Sequence, residues 1–289
     1  MNSYINDRLF IFAQYLTPQH ALSRAVGLLA QTESPLIKDF IIKTFASTYQ
    51  VNMEEALEPD LEQYKNFNDF FTRQLKADAR PIDSALNSLA GPADGAISQL
   101  GKIEDQQIFQ AKGHDYTVSD LLGGDKSLSE QFTNGTFATV YLSPKDYHRV
   151  HMPIDGTLKQ MIYVPGDLFS VNTTTSENVP NLFARNERVV CIFDTQQGPM
   201  AMILVGAMIV AGIETVWAGE VAPAKRKLAV THYQPENPQE IKLKKGEEMG
   251  RFKLGSTVIL LFGENKICWD TALEEGTAVK MGESMGVSL

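Results

Sequence analysis

Apolar and polar positions along the chain change rhythm once. Up to about residue 75 the large apolar residues recur at three- and four-residue spacing, as in Leu36, Ile37, Phe40, Ile41 and Phe45 after Ser34-Pro35. That period predicts an amphipathic helix, and Ser34 followed by proline is a good start signal. Thr17-Pro18 marks a similar start, "ALSRAVGLLAQ" continues with a greasy face, and "NDFFTRQL" (68–75) predicts a further short helix. From about residue 88, runs such as "TFATVYL", "LKQMIYV", "RVVCIFD" and "STVILLF" stand between Gly, Pro, Asp and Asn clusters. These are strand signals. The long segment Met200–Trp217 contains Gly206, Gly212 and Glu214, and so reads as two consecutive buried strands rather than one spanning helix.

The expected fold class is therefore α+β: a helical segment followed by a β-rich body. The expected division is 1–80 and 81–289, the change of texture falling in "KADARPIDSALNS" (76–88). A chain of 289 residues, 43% hydrophobic and 21% charged, can bury a large core without staples. Cys191 and Cys268 form no CxxC pair, so a disulfide framework is not expected and a reducing compartment is. "MNSYINDRLFIF" lacks the basic start of a signal peptide, and no apolar run reaches spanning length. Net charge is −9; residues 1–52 carry +1 and the remaining 237 carry −10. That balance argues against nucleic acid as partner and leaves the N-terminal segment nearly neutral and greasy.

Three places combine polar side chains with unusual backbone signals: Asp94 in "GPADGAI", His148 and His151 in "YLSPKDYHRVHMPIDG", and Gly255-Ser256 in "GRFKLGSTVILLFGENK". Carboxylate, imidazole and hydroxyl are the parts of an activated oxygen nucleophile. Each also has an ordinary reading. Asp94 suits a turn, a lone HxxH without a supporting carboxylate is weak evidence of a metal, and Gly-Ser can merely punctuate a strand. No metal is expected.

Taken together, "PADG" at 92–95, "LSPKDYHRVHMP" at 142–153, "YVPGDLFSVN" at 163–172, "GAMIVAGIETVWAG" at 206–219 and "LGST" at 254–257 resemble the bacterial phosphatidylserine decarboxylases, pyruvoyl-dependent enzymes. The similarity runs through most of residues 65–289. It implies autocatalytic cleavage between Gly255 and Ser256, giving chains 1–255 and 256–289 that stay together as a heterodimer. Ser256 attacks the carbonyl of Gly255, the amide becomes an ester, and elimination followed by loss of ammonia leaves a covalent pyruvoyl group derived from Ser256. The resemblance further implies that His151 is the base, that Asp94 holds it in the right tautomer, and that His148 serves the decarboxylation. In that step the substrate amine condenses with the pyruvoyl ketone to a Schiff base, which takes up the electrons left by CO₂. The implied substrate is phosphatidylserine in the bilayer, converted to phosphatidylethanolamine at the cytoplasmic face of the bacterial membrane. Leu9, Phe10, Phe12, Tyr15, Leu16, Leu28 and Leu29 would lie at the interface, with the clusters Lys225–Lys227 and Lys242/Lys244/Lys245 near anionic headgroups. Rival readings are an uncut Ser–His–Asp hydrolase, disfavoured by the lack of G-x-S-x-G, a β-rich carrier, and a pyruvoyl enzyme for a soluble amino acid, which has no use for the greasy N-terminus.

Overall fold

A computed structural model describes residues 2–111, 113–209, 212–224, 227–233, 240–253 and 256–289, with side chains from residue 7 onward. Helices come first, as the periodicity predicts: α1 (Asn2–Leu16), α2 (Gln19–Ala30), α3 (Pro35–Tyr49) and the short α4 (Phe67–Phe71). Helix α3 starts on Pro35 behind Ser34, but the Ser34 side chain makes no capping hydrogen bond, and α2 starts at Gln19, one residue later than Thr17-Pro18 suggests. Asn66 does cap α4, accepting from the N–H of Asp69 at 3.0 Å. The helix expected over 68–75 is cut short because the following residues pair elsewhere. Gln74 O accepts from Leu57 N, Lys76 N donates to Glu55 O, and Leu75 bridges Ala56.

The β body is built on a nine-stranded antiparallel sheet. Its main path runs 229–232, 156–164, 188–195, 198–205, 256–262, 136–142, 95–102 and 278–279, with 242–243 also beside 156–164. Strand Ser256–Phe262 is central, paired along its length with Thr136–Leu142 on one side and Gly198–Val205 on the other. Both faces of the sheet are covered, which explains why this strand is apolar throughout rather than alternating. Ile259 and Leu261 face one core cluster with Phe132, Phe137 and Phe183. Val258 and Leu260 face another, completed by Val150, Ile213, Met249 and Phe252 from a four-stranded sheet (219–222, 212–215, 248–253, 149–151). The long apolar segment resolves into two strands, Gly198–Val205 and Gly212–Thr215, as its glycines predict.

The N-terminal helices are attached to this body by polar contacts. Gln14 bonds both the hydroxyl and the N–H of Ser170, Gln19 accepts from Leu168 N, His20 Nε2 lies 2.9 Å from Gly166 O, and Ile209 N donates to Ser23 Oγ. Most of their large apolar side chains are exposed, Leu9, Phe10, Phe12, Leu16, Leu28 and Leu29 among them, as are Leu36, Ile37 and Phe40 of α3. Tyr15 instead packs edge-on against Phe169 at 4.9 Å and accepts from Arg185, and Ile11 rests on the same core cluster. Among the described residues no helix is long and apolar enough to cross a membrane. Both cysteines are free.

Candidate active site

Ser256 opens the central strand, opposite Leu142 in the ladder. Its side chain is fully buried, and its Oγ has no hydrogen-bond partner among the described residues; the neighbouring Thr257 Oγ1 is in the same condition. A buried hydroxyl without a partner costs free energy, of order 1–3 kcal/mol, so its retention in a strand otherwise built of Val, Ile, Leu and Phe points to use rather than packing. Gly255, the other half of the expected cleavage site, lies outside the described residues.

The residue opposite Ser256 leads into the histidine segment. After Leu142 the chain turns tightly, with both the N–H and the hydroxyl of Ser143 donating to Asp146 at 2.7 Å. It then enters strand Arg149–His151, so the two histidines belong to extended chain rather than one helical turn, and the helical HxxH reading does not hold. Among the described residues no group of three or more His, Cys, Asp or Glu side chains is arranged to hold a metal ion. The carbonyl of His148 accepts from Phe252 N, four residues before Ser256. Strand order therefore draws His148 and Ser256 toward one end of the body from both directions along the chain. Arg149 fastens the segment to the helical region, its Nε donating to Thr72 O at 2.9 Å, while its Nη1 meets Glu248 at 2.8 Å.

The two imidazoles differ in what their lone pairs face. In His148 the Nδ1 lies 2.9 Å from the Asp146 carbonyl; a carbonyl only accepts, so the proton sits on Nδ1 and Nε2 carries the lone pair. That Nε2 is buried and has no partner among the described residues. The ring leans on Phe71, centroids 4.1 Å apart. Burial is the main cause that lowers the His148 pKa to about 3, with the nearby Arg73 charge adding to it, so this imidazole is neutral at any physiological pH. In His151 the same logic puts the proton on Nδ1, which faces Gly246 O at 2.8 Å, and the Tyr147 hydroxyl donates to Nε2 at 3.1 Å. Burial also lowers the His151 pKa, and pushes the Tyr147 phenol up to about 12.

Asp94 is placed beside this segment, since Pro92 O accepts from His151 N at 2.8 Å. It does not orient His151, however, and the expected tautomer-holding contact is corrected here. Both Asp94 oxygens engage Arg80, whose Nε lies 2.9 and 3.0 Å away, and Oδ1 also accepts from Met281 N. A planar guanidinium matches a carboxylate bidentately and holds it more firmly than one imidazole N–H does. The hydrogen bonds to Asp94 raise the Arg80 pKa further, and Glu55 contributes a second carboxylate at 2.8 Å. Arg80 and Tyr147 are the members that the sequence reading missed. Tyr147 stood in the quoted histidine block, whereas Arg80 lay in the segment read as a boundary.

A cleft of about 550 Å³ opens onto this group, lined by Asp94, Arg80, Tyr147, Arg73, Ser143 and Lys145 among others. A smaller apolar groove of about 290 Å³ lies between α2, α3 and α4, with Pro144 and Phe71 in its wall. Of the expected basic clusters, Lys225 and Arg226 lie outside the described residues. Lys244 is paired with Asp155, and Lys245 bonds Ala85 O and Ser88 Oγ, so neither is an unengaged surface cation.

Comparison with known proteins identifies a family and close relatives. The phosphatidylserine decarboxylase family model matches residues 67–287, and a second model described as PSD matches residues 9–50. A protein of Pseudomonas entomophila named phosphatidylserine decarboxylase proenzyme is 59% identical over 283 residues, covering 98% of this chain and 99% of its own length. Proteins of the same name from Pseudomonas fluorescens, 58% identical over 285 residues (99% of both chains), and Alcanivorax borkumensis, 59% over 283 (98% and 97%), are equally similar.

Proposed function

The chain belongs to the phosphatidylserine decarboxylase family, and from that premise we propose that it is made as a proenzyme, cleaves itself at Gly255-Ser256, and converts phosphatidylserine to phosphatidylethanolamine. The observation that carries the reading is the Ser256 hydroxyl: fully buried, without a partner among the described residues, at the head of the central strand. The same observation supports a pyruvoyl group at this position. Turning Ser256 into a keto group displaces a side-chain oxygen that has no hydrogen-bond partner among the described residues, and its backbone nitrogen leaves as ammonia from the end of the ladder. Pyruvoyl chemistry supplies a carbonyl that captures the substrate amine and draws off the electrons released with CO₂.

The chain's own residues divide the remaining work. His151, neutral and fixed by Gly246 O, is the base for the Ser256 hydroxyl; the Tyr147 hydroxyl on its Nε2 must turn aside or relay the proton. Asp94, clamped by Arg80, supplies fixed negative charge beside the developing imidazolium without touching it. His148, with an unengaged lone pair, accepts the proton that the substrate ammonium must lose and returns it to carbon after CO₂ has left. Because the substrate is anchored in a bilayer, residues 1–80 form the docking region and 81–289 the catalytic body, held at the cytoplasmic face. The outward apolar side chains of α1 to α3 support that assignment. The two cleavage products remain one heterodimer.

Denaturing mass spectrometry tests the core of this reading. The purified protein should give two chains, the shorter running from residue 256 and lighter by one ammonia than its sequence. Ser256→Ala and His151→Ala should stay full-length, while His148→Ala should split and yet lose decarboxylation by about 10²-fold or more. An uncut wild-type chain with full activity refutes the proposal; normal splitting in His151→Ala transfers the base role to another group.

A further inference from the structure

Arg73 is 4% exposed, yet two of its three guanidinium nitrogens, Nε and Nη1, have no hydrogen-bond partner among the described residues. Only Nη2 is engaged, donating to Lys145 O at 3.1 Å. The other buried arginine of this site behaves differently: Arg80 is saturated by Asp94 and Glu55. A guanidinium taken out of water with half its donors idle is costly unless a ligand completes it. Arg73 lines the 550 Å³ cleft, whose walls hold four cations (Arg73, Arg80, Lys145, Lys280) and three carboxylates (Glu55, Asp94, Asp146). One positive charge is left over, matching one monoanion.

Segments between the cleft and the apolar groove show a polar side to one and an apolar side to the other, Tyr49-Gln50 at the end of α3 and two more. In one of these two, Phe71 lines the groove while Arg73 lines the cleft. In the other, Pro144 faces the groove while Ser143 and Lys145 face the cleft. A diacyl phospholipid has the same order along its length: chains, then phosphodiester, then headgroup. We infer that Arg73 binds the phosphodiester of the substrate lipid, holding it at the boundary with chain toward the groove and serine toward the cleft, an inference that rests on the function proposed above.

The serine carboxylate is the other anion available, and the chemistry argues against it. Its charge leaves the carboxyl group as CO₂ departs, so an ion pair there stabilises the ground state more than the transition state and slows the reaction. The phosphodiester keeps its charge throughout. Contacts to it act equally on ground and transition states, and their loss appears in KM rather than kcat.

The test uses mature enzyme and dihexanoyl lipids below their micellar concentration, so membrane docking does not enter. For Arg73→Met, KM for dihexanoyl phosphatidylserine should rise about 10- to 100-fold with kcat within about threefold, the loss expected for a charged hydrogen-bond partner. The calorimetric Kd for dihexanoyl phosphatidylethanolamine, which keeps the phosphate and lacks the carboxylate, should rise by the same factor. Arg73→Lys should fall between Met and wild type in both. A raised KM with unchanged Kd means that Arg73 reads the carboxylate and overturns the inference. So does a fall in kcat at constant KM, no change in either constant, or failure of both variants to mature, which assigns Arg73 to the scaffold. A wild-type chain that neither splits nor turns over the lipid defeats the functional reading itself and is recognised before any variant is made.

Discussion

Helix α3, "PLIKDFIIKTFASTY", and strand "STVILLF" are about equally greasy, yet they stand in opposite surroundings. Every residue of the strand is buried, while α3 leaves Leu36 88% and Phe40 71% exposed. The helical region is amphipathic in the reverse sense to an ordinary surface helix. In α1 and α2, Gln14, Gln19, His20 and Ser23 bond the body, Ile11 and Tyr15 rest on it, and Leu9, Phe12, Leu16 and Leu28 face out. Folding stability selects the first kind of apolar residue. A contiguous exposed face of the second kind calls for a surface to meet it. Polarity runs the same way: the strand buries two hydroxyls that have no partner among the described residues, and α1 and α2 use Gln14, Gln19 and Ser23 for attachment.

The sharpest test of this contrast is stability. Leu260→Ala in the strand should cost about 2–5 kcal/mol in urea titration, whereas Leu28→Ala, at a position 74% exposed, should stay within about 0.5 kcal/mol. Equal effects would show that the helical face is packed rather than free. Next comes binding. Leu28→Ser with Phe40→Ser should lower affinity for anionic phospholipid vesicles about 10-fold or more, with turnover of dihexanoyl substrate unchanged, because these side chains meet lipid and not the reaction. Smaller is the pH effect. His148 and His151 are neutral in the fold and titrate near 6.5 when unfolded. As pH falls through 6.5 toward 3, the unfolded chain takes up a proton that the folded His148 refuses, so stability drops by up to about 1.4 kcal/mol per pH unit, and the lowered pKa of His151 acts in the same direction. Replacing His148 with Phe should flatten that slope in a denaturation series; an unchanged slope would place the proton uptake elsewhere.

The regions differ in legibility as well. Three-four spacing located α3, and glycines split 200–217 into two strands, because local preference and tertiary placement agree there. They disagree at 72–76, where pairing with 55–57 pulls a helix-like sequence into extended chain. Ser256 and both histidines entered as candidates through motif resemblance. The partner of Asp94 was not: Arg80 stands 14 residues upstream in an undistinguished stretch, and only the folded chain shows that it displaces imidazole from the carboxylate. Arg73 had a faint signal, a lone cation two residues after Phe70-Phe71, but its idle nitrogens are a property of packing and no spacing rule announces them.

Strand Ser256–Phe262 is held by ladders on both flanks, and the same stretch of chain supplies Ser284–Ser288, which pairs with Ser88–Ala90, and Met281 N, which bonds Asp94. Residues 1–255 made by themselves would lack the middle of their own sheet. An order of events follows for the proposed cleavage: the polypeptide folds as one piece before it is severed, and the small product stays between its two neighbouring strands, a keystone cut free of the arch that it still closes.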